Sequence, residues 1–135
     1  MPRRVFTLEE AEEALETVRP LAEEIVELRR ELVALDERRA RLLAPVPGNG
    51  GGIDAAAAVS LNTRIDEQAR RMSSCVSRIH ELGALVKDLD SGLVDFPARG
   101  RRGDVLLCWK VGEDGIGWWH GPDEGFAGRR PLPLD

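Results

Sequence analysis

The sequence predicts an α+β fold: a short N-terminal helix, a long antiparallel helical hairpin, then a small antiparallel β-meander. Two observations carry this. Through residue 82 the apolar residues recur at 3/4 spacing, and from residue 83 the period falls to about 2. All three tryptophans (Trp109, Trp118 and Trp119) lie in the second part, on short apolar runs separated by glycine-containing turns. At 135 residues the chain is long enough for one modest core. A single domain over 1–135 is expected, with a helical part 7–82, a flexible connector 45–52, a meander 83–122 and an extended tail 123–135.

The first helix opens on Thr7-Leu8-Glu9-Glu10, a capping box in which the Thr7 hydroxyl and the Glu10 carboxylate satisfy each other's backbone amides. Phe6, just outside, is placed to staple the first turn. Pro20 lacks an amide and restricts Arg19, so a break is expected there, with Pro20 starting a second helix that runs to Ala44. Leu21, Ile25, Leu28, Leu32, Leu35 and Leu42 form its seam, with Arg39 filling one position. The run Pro45 to Gly52 reads as a loop. Asp54 then caps a third helix with the seam Leu61, Ile65, Gln68, Met72, Cys75, Ile79 and Leu82, and Gly83 ends it. Two such helices joined by a short loop pair antiparallel, and their apolar seam exceeds what one partner covers. Homodimerisation through the hairpin is therefore expected.

In the strand region, Leu85–Leu89 and Leu93–Phe96 flank Asp90-Ser91-Gly92, where glycine suits a type I turn with a bulge. That register sets Lys87 opposite Asp95. Pro97 ends the strand, and the Arg99–Asp104 loop leads into Val105–Val111. A two- or four-residue turn before Ile116 places Leu107, Trp109, Val111, Ile116, Trp118 and His120 on one face. Cys108, Lys110 and Trp119 then occupy the other, with Lys110 over Trp119; a three-residue turn reverses these faces. Gly117 between large neighbours implies a close approach to its backbone.

Charge narrows the function classes. The net charge is −5, with −3 over residues 1–82 and −2 over 83–135, which argues against nucleic acid and anionic membrane as partners. No apolar run approaches a membrane span, and the N-terminus has no apolar signal core. Cys75 and Cys108 form no CxxC pair and read as small buried hydrophobes, so a cytoplasmic, reducing location is expected. Nucleophile elbows, phosphate loops and dinucleotide fingerprints are missing from the sequence.

TLEEA, the helical hairpin, VKDLDSGLVDFP, LLCWKVGE, GWWH and GFAGRRPL together resemble the small prokaryotic proteins of the domain of unknown function 2203 family. The resemblance spans essentially the whole chain. It implies no activity, cofactor or catalytic residue, because the family has none assigned.

The candidate residues therefore come from chemistry alone. Ligand- or partner-binding candidates are Trp109, Trp118, Trp119, Lys110 and Arg129, which offer aromatic surface and cationic heads. Metal-ligand candidates are His120, Glu113, Asp95 and His80, whose imidazoles and carboxylates suit a divalent metal. No HxH or HExxH spacing supports them, and a histidine hydrogen-bonded under the tryptophans to lock the meander is the favoured reading of His120. The expected role is a non-catalytic interaction or scaffold module presenting a Trp/His strand face to a protein partner. The alternative is a small metal- or ligand-dependent enzyme or sensor using His120 and Glu113.

Overall fold

The computed structural model describes residues 4–44 and 54–134 and confirms the α+β class. Two helices, α1 (Leu8–Leu43) and α2 (Ala55–Glu81), pair as a hairpin. A five-stranded antiparallel sheet follows: β1 (Leu85–Asp88), β2 (Leu93–Gly100), β3 (Gly103–Lys110), β4 (Trp118–His120) and β5 (Arg130–Pro131), ordered 1-2-3-4-5. The expected connector 45–52 lies outside the described residues.

Local signals are realised. Thr7 and Glu10 form both bonds of the capping box, Asp54 accepts from the Ala57 amide, and Gly83 takes φ +98° after α2. The break at Pro20 is not realised: α1 runs through it. Pro20 and Glu16 are both exposed, so water can satisfy the carbonyl that loses its amide partner. Meanwhile Leu15, Val18, Leu21, Ala22 and Ile25 hold the opposite face in the core on both sides of the proline. Tertiary packing of that face outweighs a local cost of about 3 kcal/mol.

The proximal halves of both helices cover one face of the sheet. Val94, Phe96, Ala98, Val105, Leu107, Trp109 and Trp119 pack against Ala11, Leu15, Val18, Ile25, Cys75 and Ile79. Phe6 adds to this layer, edge-on to Phe96 at 5.4 Å, and its amide donates to the Pro97 carbonyl at 2.7 Å. Pro97 therefore does not end its strand. Its nitrogen side faces the N-terminal arm rather than β3, so the β2–β3 ladder loses no bond at that position. The Arg99–Asp104 loop shrinks to a two-residue turn, Arg101-Arg102, between paired Gly100 and Gly103.

Two registers differ from expectation. In β1–β2 a bulge at Lys87 shifts the pairing, so Leu85 rather than Lys87 lies opposite Asp95. Between β3 and β4 the connection is no tight turn but residues 111–117, and Cys108 pairs with Trp118 and Leu107 with Trp119. This odd-numbered connection reverses the expected faces. Trp109 and Trp119 point into the core, whereas Cys108, Trp118 and His120 share the outer face. The long connection is held from the helices: Glu12 accepts from the Ile116 amide at 2.8 Å, and Arg19 donates to the Glu113 and Asp114 carbonyls. The tail is not free either, since β5 pairs with β4 and Leu132 donates to the Gly117 carbonyl at 2.9 Å. That backbone bond is a close approach at Gly117; among the described residues a Cβ there would meet nothing within 4 Å.

Candidate functional site on the outer face of the sheet

Strand pairing brings Asp95 of β2 beside Cys108 of β3, and His120 on β4 reaches across β3 to join them. His120 Nε2 lies 3.1 Å from both Asp95 carboxylate oxygens. Its Nδ1 lies 2.8 Å from the Gly121 carbonyl, which only accepts, so Nδ1 carries a proton. Asp95, Cys108 and His120 are all buried, at 2%, 0% and 3% exposure. Burial first, and the Asp95 carboxylate second, push the Cys108 thiol up to about 12. A cavity of about 300 Å³ opens over Asp95 and His120, walled by Lys87, Leu93, Leu106, Pro122 and Phe126, with Glu124 at its rim. Glu124 accepts from the Gly121 amide and pairs with Arg130; these bonds, the amide foremost, lower its carboxyl below the ordinary range.

The expected metal set is therefore split. Asp95 and His120 meet, and Asp95 is held by His120 rather than by Lys87. Glu113 lies elsewhere, taken up by Arg129 at 2.9 Å and by the Lys110 amide. Its carbonyl accepts from Arg19 and from Trp109 Nε1. His80 is exposed at the end of α2, where its Nε2 accepts from the Val86 amide. Cys108, which the sequence reading set aside as a small hydrophobe, is the third member. One signal was available: reading Gly100–Gly103 as a two-residue hairpin places Asp95 opposite Cys108.

The aromatic candidates divide as well. Trp109 is fully buried and Trp119 is 8% exposed, so both pack in the core, and Trp119 also lines a groove with Arg101, Arg102 and Arg130. Trp118 is half-buried under Arg129, whose guanidinium lies 4.7 Å from the Trp118 and Phe126 rings. Arg129 thus holds the Glu113 carboxylate. Lys110 sits over Phe126 at 5.0 Å, and Arg130, not Lys110, covers Trp119 at 4.8 Å. Each cation follows the reversed face parity.

Fold and site together define a class: a helical hairpin whose base is closed by an antiparallel meander, with a buried carboxylate, thiol and imidazole on the far side of the sheet. The chain belongs to the family described as uncharacterized conserved protein (DUF2203), whose model matches residues 4–132. Neither the curated proteins nor the solved structures contain a match.

Proposed function

We propose that this protein is a cytoplasmic interaction module that dimerises through the part of its hairpin projecting beyond the sheet. The observation that carries this reading is a self-complementary stripe on α1. Glu23, Glu27, Arg30, Ala34, Arg38 and Arg41 are all exposed, and their 4/3 spacing aligns them on one face. Over Leu8–Glu27 the helix has eight acidic residues and one basic; over Leu28–Leu43 it has three acidic and five basic. Two copies crossing antiparallel between Arg30 and Ala34 bring Glu23 and Glu27 of each against Arg41 and Arg38 of the other. A parallel arrangement would oppose like charges.

The geometry beside the stripe supports the same occupant. Arg38, Arg41 and Arg64 rim a groove of about 500 Å³ floored by Leu42, Ala57 and Leu61. Val33 and Val59 are 41% and 64% exposed on the same segment, beyond the helix residues that share the core with the sheet. An isologous helix pair buries such surface twice with one set of contacts. The free cysteines Cys75 and Cys108, both buried, suit a reducing compartment.

Light scattering coupled to gel filtration tests the reading. The expected mass is twice 14.9 kDa, shifting to the monomer in the double variant Arg38→Glu/Arg41→Glu. Adding Glu23→Arg and Glu27→Arg to that chain restores the dimer by swapping the charges. A wild-type chain that stays monomeric at high concentration and low salt overturns the proposal.

A further inference from the structure

We propose that Asp95, Cys108 and His120 form a binding site for one divalent cation of the zinc class, with its open coordination position facing the cavity over His120. Among the described residues these three form a group whose imidazole nitrogen, thiol sulfur and carboxylate oxygen all lie within 4.8 Å of one another. Ligand atoms around a tetrahedral zinc stand roughly 3.3–3.6 Å apart, from metal–ligand distances of about 2.0–2.3 Å. The His120–Asp95 separations of 3.1 Å lie just below this range, so the pair need only part slightly to admit the ion.

Three further features favour a metal over a simple polar cluster. The Nδ1–H of His120 donates to the Gly121 carbonyl, which fixes the tautomer that leaves Nε2 as the ligand; metal-bound histidines share this arrangement. Asp95 and His120 line the cavity and Cys108 is fully buried beside it, so three protein ligands would come from the sheet and a fourth from the cavity. A three-ligand site with one open position is the form that reactive zinc sites take. Mixed nitrogen, sulfur and oxygen donors select zinc-like ions over magnesium or calcium, which require oxygen.

The charge balance is consistent. Binding releases the Cys108 thiol proton and the proton that bridges His120 Nε2 and Asp95. A dication replaces two protons, and the buried site keeps its net charge.

Cobalt(II) is the probe, added to tag-free full-length protein that has first been dialysed against a chelator. The expected result is one cobalt per chain with a thiolate-to-cobalt charge-transfer band, displaced by zinc, and two protons released per metal in unbuffered titration. Cys108→Ala, which removes no ion-pair partner, is expected to retain its circular dichroism and lose the band. Cys75→Ala and His80→Ala are expected to keep it. No band in the wild type, or a band that survives Cys108→Ala, overturns the assignment.

Discussion

Replacing His120 by leucine strands the Asp95 carboxylate at 2% exposure with its imidazole partner gone. Breaking a buried ion pair from one side costs about 3–5 kcal/mol, because the remaining charge keeps its desolvation penalty and loses its compensation. For a chain of this size about 4 °C of melting temperature accompanies each kcal/mol, so His120→Leu is expected to melt about 12–20 °C lower. The double variant Asp95→Val/His120→Leu removes both charges and leaves apolar groups beside Leu93 and Leu106. It is expected to return to within about 1 kcal/mol of wild type. Urea titration of all four corners of this cycle, with chelator present, isolates the coupling between the two residues. A loss below about 1 kcal/mol in His120→Leu, or a double variant weaker than the single, refutes the reasoning that the pair is a buried, mutually dependent unit.

Other predictions test the fold around the site. Pro20→Ala restores the N–H that donates a hydrogen bond to the Glu16 carbonyl and is expected to stabilise by about 1–3 kcal/mol in thermal melts; a loss would mean the ring itself is packed. Gly92 has φ +68°, and a Cβ there would collide with Val111 and lie 2.9 Å from Val26 Cγ2. Gly92→Ala should therefore cost about 2–5 kcal/mol, whereas Gly117→Ala, with open space, should fall within about 0.5 kcal/mol of wild type. The Thr7 amide, and then its hydroxyl, hold the Glu10 carboxyl below its usual 4.5. A depressed carboxyl stabilises the fold above its unfolded value, and that contribution is lost as pH falls through the folded one. Stability measured from pH 6 down to 2 should thus decline less steeply in Glu10→Gln, and identical acid limbs would exclude the capping box as a contributor.

The elements legible in the sequence are those whose cause is local. Thr7 and Glu10 are three residues apart, Asp54 needs only the amide of Ala57, and Gly83 needs only freedom at φ. Pro20 misled for the same reason: its local cost is real, but buried side chains on the opposite face of the helix override it. The site was legible in two of its members, Asp95 and His120, by residue type alone. Cys108 was not, because its place depends on which strand residues oppose one another.

Sequence alone determined the α+β class, the helical hairpin, its caps and the charge gradient along α1, since each follows from spacing along one chain segment. Only the tertiary structure decided the parity of the meander. Residues 111–117 are fastened by Glu12 and Arg19, side chains from a helix about a hundred positions earlier, and no local rule sets the length of a connection held that way. A one-residue change in parity sends every side chain of a strand to the opposite face. Here that parity sent Trp109 and Trp119 into the core and gathered Cys108 and His120 with Asp95 on the outer face.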